Sequence, residues 1–481
     1  MTFDLTPAAT EMVLFIGCLA LLLLGAIRGE RDGANVLTPL AALTMLVAAL
    51  VAVSHHDQRT LAFDGHFVFD SFAAFMKVLI LLGATGALLL AGQFLRDEKI
   101  ERYEYPLLVL FSALGMCMMV SANSLLALYM AIELQSLPIY VLAAVHRDNL
   151  RATEAGLKYF VLGALASGML LYGCSLVYGF AGTINFDLIA DRWTGGTALP
   201  LGALVGLVFV VSGLAFKMAA VPFHMWTPDV YEGSPSPVTA FMAGAPKVAA
   251  VGLMVRVLMG PFGAWTAQWQ QVVVALALAS MALGAFAAIG QINIKRLMAY
   301  SGIANVGFAL VGVAAGTTSG VNAALVYMTI YLIMTLGTFA CILQMRRDGR
   351  YVESIADLAG LSRERPAMAM ILAVCMFSLA GIPPLAGFIG KFYVFRAAVD
   401  AGLIWFAVVG VLLSVVGAYY YLRIVKLLYF DEPAAPFDRA PSLSVSAIAG
   451  VCAVLLLFFL VPFLASPVLS TATAAAAALA R

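Results

Sequence analysis

Five lysines interrupt long apolar runs of the chain: Lys77, Lys158, Lys217, Lys247 and Lys391. The acidic residue set deepest in such a run is Glu133, in "LALYMAIELQSLPIY", and His224 follows Pro222 in "FKMAAVPFHMW". A charge at the centre of a bilayer helix costs about 3 kcal/mol on insertion scales, so several in one chain require partners, water or a task. Lys77 and Lys158 lie within a few residues of the ends of their runs, where a lysine can reach the interface or form a structural ion pair. Lys217, Lys247 and Lys391 lie deeper, one on each of three runs. An amine withdrawn from water gives up its proton more readily, and a carboxylate beside it reverses that. Moving the carboxylate by a few ångströms therefore switches a lysine between holding and releasing a proton, which arginine cannot do because its proton is held too tightly. Glu133, the one carboxylate in the middle of a run, is the natural partner for one of these lysines, and the sequence leaves open which.

Secondary candidates surround this set. A histidine near a helix end is commonly a hydrogen-bonded structural residue, but beside a proton-bearing lysine His224 is also a relay. Ser121, Ser136, Tyr300, Ser301 and Asn305 offer groups that hold water between charged sites or bond across helices, and Lys295 opens the same stretch, "KRLMAYSGIANVGF".

The elements that must position these groups follow from composition. The 481 residues are 63% hydrophobic and 11% charged, with a mean hydropathy of +0.99, which excludes a soluble globular domain and defines a polytopic membrane protein. The first apolar stretch, 8 to 27, is long enough to span and its charged flank follows it, so it reads as helix one rather than a cleaved signal. Runs of membrane-spanning length predict about 14 helices, at 8–27, 34–53, 70–92, 105–121, 123–145, 153–178, 200–230, 237–258, 270–290, 297–315, 320–343, 367–398, 402–428 and 443–466. Two of these, 200–230 and 367–398, are too long and contain Pro222 and the pair Pro383, Pro384, so each is expected to be a discontinuous helix whose freed backbone groups line a protected interior. The alanine-rich end "SPVLSTATAAAAALAR" carries no assignable role.

The fold class is thus an all-α polytopic membrane protein. The two long runs stand five spans apart, and an odd offset inverts the second unit, so helices four to eight and nine to thirteen read as two inverted five-helix repeats meeting at the membrane middle. The corresponding division is 1–104 for an N-terminal three-helix segment, 105–260 and 261–430 for the repeats, and 431–481 for a last helix and tail. Most Lys and Arg outside the spans fall on loops after odd-numbered helices, which places the loops of Arg96, Arg147, Lys295 and Arg346 in the cytoplasm and both termini outside.

Other chemistries are excluded. The 27 basic and 26 acidic residues nearly cancel, which gives no footprint for a nucleic-acid partner. Cys18, Cys117, Cys174, Cys341, Cys375 and Cys452 all lie in apolar runs without metal-ligand spacing, so they read as packing residues, with no metal, iron–sulfur or disulfide role. Dinucleotide and haem motifs are absent.

Three stretches together resemble a known family: "FKMAAVPFHMWTPDVYEGSPSPVTAFMAGAPKVAA" at 216–250, "KRLMAYSGIANVGF" at 295–308 and "GIPPLAGFIGKFYVF" at 381–395. They are similar, in order and spacing, to the antiporter-like membrane subunits of respiratory complex I. Within that group "PDVYEGSPSPV" and Lys391 look like the subunit N branch, which is similar to subunit 2 of the mitochondrial enzyme. Subunit M carries a "PDAH"-like sequence and a glutamate at these places, and subunit L is much longer.

The resemblance implies that Glu133 and Lys217 form a central pair, that Lys247 is the inner-channel lysine, that Lys391 is the outer-channel terminus and that His224 is a relay. It implies proton translocation without redox chemistry in this chain, with NADH, FMN, iron–sulfur clusters and quinone in partner subunits. It places the chain in a bacterial inner membrane, embedded in lipid beside chains M, K and J. Relatives commonly carry histidine where this chain has Asn305 and serine where it has Gly302, so ordered water held by Asn305 is expected in place of a second histidine. Two other functions fit the residues less fully: a stand-alone cation/proton antiporter, and a structural subunit whose lysines only bind neighbours or lipid.

Overall fold

An apolar run without water for its backbone groups must close its hydrogen bonds internally, and nearly every run here does so as a helix. The computed structural model describes residues 5–54, 59–193, 200–438, 442–459 and 462–479. The chain begins with α1 (Ala9–Arg28), α2 (Glu30–Ser54), α3 (Ser71–Asp97), α4 (Glu104–Ser121), α5 (Leu125–Ala143), α6 (Leu150–Ala181) and the short α7 (Phe186–Trp193). The middle holds α8 (Leu201–Met218), α9 (Thr227–Gly233), α10 (Ser236–Ala243), α11 (Ala245–Met259), α12 (Thr266–Ile289), α13 (Ile294–Ala314) and α14 (Thr318–Ile342). It ends with α15 (Leu361–Glu364), α16 (Pro366–Ala380), α17 (Ala386–Asp400), α18 (Ile404–Phe430), α19 (Leu443–Phe458) and α20 (Pro462–Ala477).

Among the described residues, twelve helical segments are long and apolar enough to cross a membrane, and two shorter apolar helices, α16 and α19, bring the passes to the number expected from sequence. Several starts are set by local chemistry. Asp70, Ser124, Asn149, Asn293, Thr317 and Ser442 each precede a helix and accept a backbone N–H from its first turn, which satisfies a donor that has no carbonyl partner within the helix.

Both expected breaks are present. α8 stops at Met218, and Ala219 takes the left-handed conformation (φ 63°, ψ 36°) before the turn that leads to α9. α16 stops at Ala380, Gly381 is left-handed (φ 81°, ψ 41°), and α17 resumes at Ala386. Proline ends each first half because it donates no hydrogen bond and crowds the preceding turn; each break also contains a cis bond before proline, Val221–Pro222 and Pro383–Pro384.

A third interruption departs from the expectation of a continuous helix over 237–258. Gly244 (φ −100°, ψ −99°) separates α10 from α11, and Pro246 two residues later has no N–H to continue the ladder. Lys247 therefore lies in the first turn of α11 rather than within an unbroken helix.

Packing repeats across the two halves. In the first, α4 lies on α5, α5 on α6, α6 on α8, and α11 returns to α4. In the second, α12 lies on α13, α13 on α14, α14 on α16 and α17, and α18 returns to α12. The α10–α11 pass, α13 and α14 are almost wholly buried, whereas α1, α6 and α18 turn most of their surface outward. Lys247 and Asn305 thus sit at the centre of the bundle.

The C-terminal end differs from a single span over 443–466 followed by a plain tail. α19 ends at Phe458, and a separate helix, α20, starts at Pro462 and packs against α3 and α14. Its buried alanines, Ala465, Ala472, Ala475 and Ala476, let the helix approach closely.

Candidate functional site

The Lys217 ammonium, in the last turn of α8, donates to Ser136 Oγ at 2.7 Å and to the Tyr140 hydroxyl at 3.1 Å, both on α5. The Ser136 hydroxyl donates its own hydrogen to the Ile132 carbonyl at 2.6 Å, so its lone pairs face the lysine. Glu133 lies on the same face of α5 as these two acceptors, by spacing of three and then four residues. No ion pair joins Glu133 to Lys217 within 4 Å; Glu133 Oε1 is buried without a hydrogen-bond partner. Lys217 is thus held beside the carboxylate's helix but bonded to its hydroxyls.

Lys247 is 1% exposed, and its Nζ makes no hydrogen bond. The Tyr231 ring faces it, with the centroid 5.4 Å away, and Gly302 of α13 lies against the amine. Lys391 of α17 is the opposite case. Its Nζ donates to the Leu379 carbonyl (3.0 Å), the Ala380 carbonyl (3.1 Å) and Ser414 Oγ (2.9 Å), and stands 4.5 Å from the Phe308 ring centroid. The two carbonyls belong to the end of α16, where the helix has left them without N–H partners and where a cation is favoured.

One face of α13 joins these two lysines. Gly302 meets Lys247, Asn305 follows one turn on, and Phe308 one turn further underlies Lys391; six residues of helix cover about 9 Å. Between them lies a closed polar group. Asn305 Nδ2 donates to the Ser301 carbonyl at 2.7 Å and to Tyr421 at 3.3 Å, Asn305 Oδ1 accepts from the Tyr327 hydroxyl at 2.6 Å, and Ser301 bonds Tyr421. Both ends of the Asn305 amide therefore have protein partners in the place where a held water was expected.

The remaining expected residues fall elsewhere. His224 is half-buried in the turn after α8, its carbonyl accepts from Thr227 N–H, and its Nδ1 is buried without a partner. Lys158 is paired with Glu154 at 2.7 Å and Asp229 at 3.0 Å, in a partly exposed cluster completed by Arg296, which binds Asp229 and Glu232. Lys295 ties two loops together through Glu353 (2.6 Å) and the Ser234 carbonyl (2.9 Å). Tyr300 is partly buried and bonds none of the three deep lysines. A cavity of about 470 Å³ lined by His146, Arg151, Glu232 and Lys295, and one of about 230 Å³ over Lys158 and Asp229, open at this end of the bundle.

A structural ion pair was one of the two readings of Lys77, but its partner Glu11 was not named, and the pair of Arg256 with Asp70 was not foreseen. Lys77, fully buried, lies 2.8 and 3.0 Å from the two carboxylate oxygens of Glu11 and faces the rings of Phe67 and Phe69. Arg256 of α11 makes two bonds to Asp70, at 2.8 and 3.0 Å. Glu11, four residues into α1's apolar run, carries the only advance signal for the first pair, and nothing local signals the second. All six cysteines are buried and none is in a disulfide.

Broken helices in two similarly packed halves, with lysines at the breaks, define an antiporter-like membrane protein. Residues 122–417 match the family described as "NADH:quinone oxidoreductase/Mrp antiporter, TM". The chain is 57% identical over 459 residues to the NADH-quinone oxidoreductase subunit N of Parvibaculum lavamentivorans, covering 95% of this chain and 94% of that one. It is 56% identical over 485 residues to that of Rhodospirillum rubrum, covering 100% and 99%. Its fold is similar to a chain of Thermus thermophilus respiratory complex I with bound aureothin, with TM-score 0.82, 33% identity and 96% and 99% coverage. A chain of the Mrp complex of Dietzia sp. shares the fold at TM-score 0.86 with 24% identity, over 100% of this chain and 98% of that one. The chain belongs to the NADH-quinone oxidoreductase subunit N family of antiporter-like membrane proteins.

Proposed function

We infer that the chain is a proton-translocating membrane subunit of an NADH:quinone oxidoreductase, with the redox chemistry carried out elsewhere in the complex. The observation that carries this reading is the series of buried polar groups on adjoining helices: Lys217 on Ser136 and Tyr140, Lys247 against Gly302, the bonded group of Ser301, Asn305, Tyr327 and Tyr421 on and around the same α13, and Lys391 over Phe308. Proton transfer over such a path needs groups that accept and donate in turn, and lysine, tyrosine and serine supply both. Glu133 is the group that biases Lys217. In the arrangement seen here the ammonium rests on two neutral hydroxyls, and an approach of Glu133 along the same face of α5 would hold it more strongly. Lys217 passes its proton by way of His224 toward Lys247, and Lys391 forms the far end.

The same reading gives the setting. NADH, FMN, iron–sulfur clusters and quinone belong to partner subunits, chains M, K and J are the expected neighbours, and the chain lies in the cytoplasmic membrane of a bacterium with both termini on the outer side. The units 105–260 and 261–430 are the two halves of the path, preceded by the segment 1–104 and followed by 431–481.

The test is proton pumping and coupled NADH oxidation in membrane vesicles carrying Lys217→Ala or Glu133→Ala. Each is expected to abolish most pumping while the assembled complex remains detectable. Full pumping in both variants would falsify the reading. A stand-alone cation/proton antiporter is the alternative supported by the shared Mrp fold. Its gene would lie apart from genes for NADH-oxidising and cluster-bearing partners, whereas a subunit of the oxidoreductase would lie among them.

A further inference from the structure

Gly302 lies in the middle of α13, where glycine is a poorer helix former than alanine, so its presence calls for a spatial reason. Elsewhere on this helix the reason is helix contact: a Cβ at Gly307 would press on backbone atoms of α12, and one at Gly312 on backbone atoms of α14. At Gly302 a Cβ would overlap the Nζ of Lys247 and come within 3.2 Å of the Tyr331 hydroxyl. The volume that any side chain at 302 needs is filled by an amine.

Related pairings occur at the other two deep lysines. A Cβ at Gly163 would overlap the Tyr140 hydroxyl that accepts from Lys217, and one at Gly381 would lie 2.8 Å from Lys391 Cδ. Gly381 is also left-handed, so its glycine has a second cause. Gly302 is the clean case, because its backbone is ordinary helix and the group in its place is the charged end itself.

We propose that Gly302 is a positioning residue for Lys247: lacking a side chain, it leaves between α11 and α13 the seat that the amine occupies. That seat holds the amine against α13, one turn before Asn305 and the tyrosines bonded around it. Tyr331 closes the seat from α14, its hydroxyl fixed by donation to the Ala243 carbonyl at 2.9 Å. A methyl at 302 cannot share the space, so the lysine tip must leave α13, and the step toward Asn305 lengthens. The proposal rests on the reading of Lys247 as a proton carrier.

The experiment is a double-mutant cycle in the whole complex: Gly302→Ala, Lys247→Ala and both together, with thermal stability of the assembled complex, pumping per NADH oxidised and the pH profile of coupled turnover as readouts. Gly302→Ala alone is expected to reduce pumping several-fold and displace the pH profile, with at most a small loss of stability because the flexible lysine tip can move aside. In the Lys247→Ala background the same methyl is expected to cost no stability, because its competitor is gone. An equal loss of stability in both backgrounds, or unchanged pumping and pH profile in Gly302→Ala alone, overturns the proposal. If Gly302→Ala alone prevents assembly, the double variant decides: recovery of the complex supports the seat, and continued failure refutes it. Undiminished pumping by Lys247→Ala defeats the proton-carrier reading instead, and the stability cycle still reports on the seat.

Discussion

Lys217, Lys247 and Lys391 carry one functional group into three surroundings: two hydroxyls, no hydrogen-bond acceptor, and two helix-end carbonyls with a hydroxyl. The middle one is the most demanding test of lysine chemistry. Arginine at 247 keeps a positive charge but brings a larger fork of donors that never releases its proton in the working range. Lys247→Arg is therefore expected to stop pumping in vesicles while NADH oxidation by artificial acceptors continues in the assembled complex; normal pumping would mean that no group at 247 needs to titrate. The lysines were legible in the sequence because a charge in an apolar run has few inexpensive explanations. Tyr140, Tyr327 and Tyr421 were not, since a tyrosine in a span is ordinary and its partner is set by tertiary packing. Glu11 was overlooked because a carboxylate near the start of a span reads as interfacial until Lys77 is found against it.

The elements bring these groups together by ending in the membrane rather than crossing it whole. Pro222, Pro383 and Pro384 made two of the breaks legible, and the mechanism, a missing donor and a crowded turn, is local. The break at Gly244 was hidden, because a single glycine before Pro246 fits equally well inside a tolerated bend. The break at Gly381 yields a sharp expectation. Any side chain there must adopt left-handed backbone, which costs roughly 1–2 kcal/mol, and its Cβ would also meet the Lys391 stem. Gly381→Ala should lower the melting temperature of the complex and weaken pumping together. An unchanged melting temperature would show that this break adapts freely. Ala219 holds the left-handed place in the other break without a glycine, so the two halves are alike in path but not in tolerance.

At the scale of the molecule, the start of α3 is joined to α11 by Asp70 and Arg256. Burial pushes the Asp70 carboxyl up, but the charge and hydrogen bonds of Arg256, with the Ala73 N–H, outweigh it and hold the group below the usual carboxylate range. A carboxyl lowered in the folded state adds stability that is present above its unfolded value, near 3.9, and lost as pH falls through the folded one. Thermal stability is thus expected to drop below about pH 4 in part through Asp70. Asp70→Asn, which leaves Arg256 without its counter-charge, should cost about 3–5 kcal/mol at neutral pH and flatten this acid limb. Parallel melting-versus-pH curves for the two proteins would count against it. The number of passes could be read from hydropathy alone, because bilayer thickness dictates span length. The folding of α20 back onto α3 and α14 could not, since alanine-rich sequence reports helix formation but not where the helix will lie.

The grip of Lys391 on the end of α16 has a consequence for what a proton can do there. An ammonium has three hydrogens to give and finds three takers; a neutral amine has two. In the proposed function, departure of the charge would take the donor from a helix-end carbonyl or the Ser414 hydroxyl, and its return would restore it. On that proposal the junction of α16 and α17 would be a latch whose hold is counted in single protons, a point at which electrical movement would be turned into mechanical slack.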